Sequence, residues 1–215
     1  MYKYVLFDLD GTLTDPALGI TNSVIYALSR FGIEVSDRSS LYKFIGPPLV
    51  YSFKTFYNFT DEQAVLALNY YRERFQNGGL FENEIYNGID HLLAALKANG
   101  SKIILATSKP EEFAEQILEH FDILKYFDFV AGNTLSEMRP EKRDVIMHIL
   151  ANFPDLSGEN AVMVGDRSYD VAGSGEFSIP CIGVAYGYGG EDELRSSGAA
   201  AVAESVQELE KMLLE

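Results

Sequence analysis

Val5-Leu6-Phe7-Asp8-Leu9-Asp10-Gly11-Thr12 decides the fold class of this chain. Its apolar residues run without alternation, as in a strand buried on both faces. The run ends in two carboxylates at i and i+2 before glycine turns the chain. In open α/β sheets ligands gather beyond the carboxyl ends of strands, so such a pair stands where chemistry is done. Two carboxylates there can bind a magnesium ion, or one can attack while the other moves protons. Taken alone, the same residues also fit an acidic turn.

This run, Tyr4–Leu9, is one of five of its kind, the others being Lys102–Thr107, Phe127–Ala131, Ala161–Gly165 and Pro180–Val184. Between them lie helical stripes, with Ile89, Leu92, Leu93 and Leu96 in one and Phe113, Ile117, Leu118 and Phe121 in another. Gly100 closes the first stripe, and Ser205-Val-Gln-Glu208 is a capping box opening a last helix. Strand alternating with helix predicts an α/β fold, a three-layer Rossmann-like core around a parallel sheet. From Pro16 to Glu84 the alternation stops. Helical patterns at Ile20–Phe31, Leu49–Phe56 and Thr60–Phe75 take over, the last opened by the capping box Thr60-Asp-Glu-Gln63. We expect a catalytic core of residues 1–15 and 84–215, with a small α-helical cap inserted as residues 16–83.

Two more predicted strands end like the first. Lys102–Ala106 runs into Thr107-Ser108, hydroxyls able to hold a phosphoryl oxygen or to cap a helix. Ala161–Val164 runs into Gly165-Asp166-Arg167-Ser168-Tyr169-Asp170. Net charge is −15, from 32 acidic and 17 basic residues, which repels nucleic acid and anionic membranes. The same field repels a phosphorylated substrate unless a bound cation reverses it locally. Acids converging from separate strand ends need such a cation.

Among 215 residues, 47% are hydrophobic, enough apolar material for a core and a modest insertion. The apolar runs are too short to span a bilayer, and Met1-Tyr2-Lys3-Tyr4 lacks a signal-peptide layout. The single cysteine, Cys181, rules out an intrachain disulfide and a thiolate zinc cluster. We expect a cytoplasmic protein, monomeric by default with a dimer possible.

The order and spacing of these motifs resemble those of haloacid dehalogenase superfamily phosphatases. Asp8-Leu-Asp10-Gly11-Thr12 is similar to the family's first motif, Thr107 to the second, and Gly165-Asp166…Asp170 to the fourth. Phe44-Ile-Gly-Pro-Pro-Leu49 and Tyr86-Asn-Gly88 resemble the phosphoglycolate phosphatase group. For the third motif, a basic residue, the candidates are Lys142 and Arg139. We favour Lys142, a compact ammonium able to touch both nucleophile and phosphate.

The resemblance implies a Mg2+-dependent phosphomonoester hydrolase acting on a small phosphorylated metabolite, such as phosphoglycolate or a nucleotide. Asp8 is the implied nucleophile and Asp10 the acid and base. The implied metal set is Asp8, Asp10 through its backbone carbonyl, and Asp166, with Asp170 orienting water around the ion. Thr107, Lys142 and backbone amides after Asp8 would stabilise transferring charge, placing Gly11, Thr12 and Ser108 against substrate. Gly46, stiffened by Pro47-Pro48, would point a cap loop at substrate, and the cap would exclude water. Alternatives are a phosphosugar mutase and a catalytically silent binding domain. The dehalogenase branch lacks an acid at the position of Asp10. His91, His120 and His148 have no metal spacing, and Gly183–Gly190 reads as a flexible loop beside the site.

Overall fold

Strand β1 (Tyr4–Phe7) is buried at every position, as its unbroken apolar run requires. It occupies the middle of a six-stranded sheet in the computed structural model, which describes residues 2–215. Two-residue strands β2 (Thr14–Asp15) and β3 (Glu84–Ile85) follow along the chain, on either side of the helical segment. The remaining strands of the large sheet are β4 (Lys102–Pro110), β5 (Phe129–Asn133), β6 (Ala161–Gly165), β7 (Cys181–Val184) and β8 (Ala201–Ala203). All pair in parallel, in the order β5-β4-β1-β6-β7-β8.

Parallel strands need crossovers, and helices supply them on both sides of the sheet. These are α4 (Ile89–Ala98), α5 (Glu111–His120), α6 (Lys142–Asn152), α7 (Ser168–Gly175), α8 (Gly190–Ser196) and α9 (Val206–Leu214). Helix α4 packs on α9, while α6 packs on α7 and α7 on α8. Under α6 and α7 one core cluster joins Leu6, Ile104, Ala131, Val145, Ile149, Met163 and Cys181. The fold is therefore the α/β Rossmann-like sandwich that the strand–helix alternation implies.

The chain forms two compact units, residues 2–15 with Ile85–Glu215, and Pro16–Glu84. The second unit is helical: α1 (Ala17–Ser29), α2 (Leu49–Tyr57) and α3 (Asp61–Gln76), with short 3-10 turns at Arg38–Phe44 and Gly79–Phe81. Thr60 accepts from the amide of Gln63 while Gln63 bonds back to Thr60, so the predicted box opens α3. The core of this unit is aromatic. Phe44 meets Phe53 edge-on at 5.2 Å, and Phe31 meets Phe59 at 4.6 Å between ring centres. Among the described residues no helix is long and apolar enough to cross a membrane.

Strand β1 fixes the working edge. Phe7 stands opposite Leu105 of β4 and Val164 of β6, and the Asp8 amide donates to the Val164 carbonyl at 2.9 Å. Asp8 is one residue beyond Phe7, and Thr107 and Asp166 are two beyond Leu105 and Val164, so the register brings the three motifs to one end of the sheet.

Candidate active site

Asp8 leaves β1 buried, and its Oδ1 accepts from the Lys142 ammonium at 2.7 Å. Lys142 is the first residue of α6, and the same Nζ reaches Asp170 Oδ1 at 2.8 Å and the Ala106 carbonyl at 2.6 Å. Of the two basic candidates, then, Lys142 stands beside Asp8. Arg139 instead pairs with Glu111 at 2.7 Å. Asp166 follows β6, and Asp170 lies in the first turn of α7, where its Oδ2 accepts from the Arg167 amide at 3.1 Å. Carboxylate oxygens of Asp8, Asp166 and Asp170 all lie within 4.8 Å of one another.

Three buried carboxylates around one ammonium leave negative charge over. Burial, together with the charges of Asp170 and Asp8, holds the Asp166 carboxyl well above the usual carboxylate range. Burial likewise pushes Asp170 up to about 6 against the pull of Lys142. For Lys142, burial lowers the ammonium's value, but the Asp170 and Asp8 carboxylates outweigh it and the net shift is upward. Asp166 Oδ1 is buried with no hydrogen-bond partner. An orphaned carboxylate oxygen within an all-oxygen cluster fits a hard divalent cation such as magnesium.

The sign of a pH effect follows. A carboxyl whose folded value is raised favours the folded chain at low pH, and that contribution fades as pH rises through the raised value. With divalent ions chelated, the melting temperature should be lower at pH 7 than at pH 5. Several degrees are expected, because about 1 kcal/mol moves a domain of this size by about 2–4 °C. Asp166→Asn should shrink the difference, and magnesium should reverse it at pH 7. Thermal scans in which the chelated protein melts no lower at pH 7 would contradict this electrostatic picture.

The side chain of Asp10 lies apart from that trio. Its Oδ2 pairs with Lys109 Nζ at 2.8 Å, and both side chains are largely buried. Burial raises the Asp10 carboxyl, with Lys109 opposing. Sequence reasoning missed Lys109. Strand β4 was expected to stop at Thr107 but runs on to Pro110, and the lysine rides on that extension. The available signal was its spacing, two residues beyond Thr107. Thr107 itself is buried, and its Oγ1 accepts from the Lys109 amide at 3.2 Å, while Ser108 is half-buried between them.

The amides of Gly11 and Thr12 are used inside the turn, donating to Thr14 O at 2.7 Å and Leu9 O at 3.2 Å. Gly11 has a different requirement. Its φ is +87°, and a Cβ there would fall 2.1 Å from Asp166 Oδ2. Only glycine lets the first motif close against the fourth. The Gly183–Gly190 segment does border the site, held by specific bonds. The Tyr188 amide donates to Asp166 Oδ2 at 2.7 Å, the Tyr186 hydroxyl to Thr12 O at 3.0 Å, and the Tyr188 hydroxyl bonds Asp15. Gly46 belongs to the Pro16–Glu84 unit, where its φ of +103° turns the chain into Pro47-Pro48 and α2. Among the histidines, His91 bonds Glu210 at 3.0 Å and His148 packs near Phe129.

The family model described as haloacid dehalogenase-like hydrolase matches residues 5–184. A 5'-nucleotidase of Pseudomonas aeruginosa is 46% identical over 195 residues, covering 91% of this chain and 88% of that protein. Tyrosine-protein kinase PtkA of Mycobacterium tuberculosis is 37% identical over 214 residues, covering 98% of this chain and 72% of that protein. The crystal structure of a predicted phosphatase from Clostridium acetobutylicum superposes with a TM-score of 0.97 at 49% identity. It covers 100% of this chain and 99% of the other.

Proposed function

This chain belongs to the haloacid dehalogenase-like hydrolase family, and we propose that it is a magnesium-dependent phosphatase of small phosphomonoesters working through a phosphorylated Asp8. One observation carries the reading: a buried carboxylate at the strand edge, 2.7 Å from a buried ammonium, in a trio of acids with an orphaned oxygen. Relatives named as a nucleotidase and as a predicted phosphatase support the reaction class.

In the first half-reaction an Asp8 oxygen bonds to phosphorus as the ester oxygen–phosphorus bond breaks. Asp10 gives its proton to the departing alkoxide. In the second half-reaction Asp10 takes a proton from water, the water oxygen bonds to phosphorus, and the Asp8–phosphorus bond breaks to release inorganic phosphate. Lys142 aims Asp8 through its 2.7 Å contact, and with Thr107 balances charge on the transferring group. Asp8 and Asp166, with the Asp10 carbonyl, would hold magnesium. The proximity of Asp170 to both carboxylates makes it a further candidate ligand besides an orienter of water. When bound, the ion supplies a positive centre that neutralises the phosphoryl oxygens. The Pro16–Glu84 insertion is assigned substrate selection.

A panel of phosphoglycolate, nucleoside monophosphates and sugar phosphates, assayed with magnesium and with chelator, tests the proposal. Release of inorganic phosphate, lost on chelation and regained with magnesium, is expected. The kinase relative makes the acceptor worth following as well: phosphate passed to a sugar or tyrosine hydroxyl without release to water would replace the hydrolase reading.

A further inference from the structure

We propose that Lys109 is a positioning residue for Asp10: its ammonium fixes one carboxylate oxygen and leaves the other to exchange the proton with the leaving group. This rests on the assignment of Asp10 as acid and base given above. The backbone at Lys109 is set from two strands. The pairing of β4 with β5 shifts register between Ala106 and Pro110, and Pro110 then pairs with Asn133. Within that irregular tip the Lys109 amide donates to Thr107 Oγ1. The Lys109 carbonyl lies so near Gly132 that a Cβ there would come within 2.4 Å of it. A side chain on residue 132 would push the tip away, so the glycine is part of how the lysine is aimed.

The lysine side chain is buried, and a buried ammonium is tolerated only when paired. Its partner is Oδ2 of Asp10 at 2.8 Å, while Oδ1 of Asp10 is buried without a hydrogen-bond partner. One anchored oxygen and one oxygen without a partner suit a group that must release a proton and then recover one. Such a group gains from being held close to its working geometry throughout. A lysine contacts a carboxylate as a point charge, whereas the arginine fork would engage both oxygens and leave none open.

The discriminating measurement is kcat/KM, which reports steps through the first phosphoryl transfer, on two substrates with magnesium present. One is an alkyl phosphate, whose alkoxide must be protonated as it leaves. The other is 2,4-dinitrophenyl phosphate, whose phenolate leaves without a proton. Lys109→Met should lose about 100-fold on the alkyl ester and less than about 5-fold on the aryl ester, in proportion to the need for general acid catalysis. Asp10→Asn should show the same selectivity. Lys109→Gln, which keeps a polar contact without the charge, should fall between wild type and Lys109→Met, and it carries the comparison if the methionine variant does not fold. Equal losses on both esters, or no loss, in the folded lysine variants while Asp10→Asn remains selective would overturn the Lys109 inference alone. Absence of selectivity in Asp10→Asn would instead remove the acid assignment and this inference with it.

Discussion

Asp8→Asn should reduce turnover by about 10⁴-fold or more, since removing a nucleophile leaves only binding and charge stabilisation. The chain should nevertheless stay folded. The amide has the shape of the carboxylate and can still accept from Lys142, but it is a poor nucleophile toward phosphorus. Lys142 is not stranded by the change, because it keeps Asp170 at 2.8 Å and the Ala106 carbonyl at 2.6 Å. One of three mutually repelling buried carboxylates is meanwhile neutralised. In chelator at pH 7 the variant should therefore melt at or above the wild-type temperature, an uncommon sign for a change at a buried charged site. Steady-state phosphate release and acid-quench trapping of phosphorylated protein give the kinetic result, and thermal scans give the other. Turnover within tenfold of wild type would remove Asp8 from the mechanism. Unfolding of the variant would show that Lys142 depends on the charge of Asp8 and that Asp170 and the Ala106 carbonyl do not suffice to hold it.

The strand that carries Asp8 was legible because burial on both faces forces an unbroken apolar run. Asp166 and Asp170 were legible for the same reason, one strand over. The positions that sequence reading missed share a different physics. Strand β8 is a three-residue edge segment, Ala201–Ala203, whose single β-branched residue, Val202, stands between alanines and gives no strand-length signal. Lys109 sits past the apolar part of β4, where the strand persists through pairing of Pro110 with Asn133 rather than through hydrophobicity. Its ion pair joins residues far apart in sequence, and no local pattern encodes such a contact. The Gly183–Gly190 segment reads as flexible from its glycines, yet the Tyr186 hydroxyl and the Tyr188 amide and hydroxyl are bonded to Thr12, Asp166 and Asp15. Composition reports what backbone freedom is available, and only the tertiary partners decide whether it is used.

Lys142→Met should cost the folded chain about 3–5 kcal/mol in chelator at pH 7, the range for removing one partner of a buried ionic cluster. The methionine fills much of the same volume, so the loss is electrostatic rather than a cavity. Without the ammonium, Asp8 and Asp170 lose the cation that bonds them both, and the three carboxylates face one another within 4.8 Å with only the more distant charge of Arg167 acting on Asp166. Three rescues should follow from that single cause. Lowering the pH toward 5 should recover stability by protonating carboxyls. Magnesium should recover it by supplying the missing charge. Adding Asp170→Asn should recover part of it, so that the two substitutions are strongly non-additive in a double-mutant cycle. Activity should not return with stability under any of these conditions, because the ammonium beside Asp8 is then still missing. Urea denaturation of the single and double variants at both pH values measures all of this. A cost below about 1 kcal/mol for Lys142→Met, the level of an exposed ion pair, would show that Lys142 is not what holds the acidic cluster together.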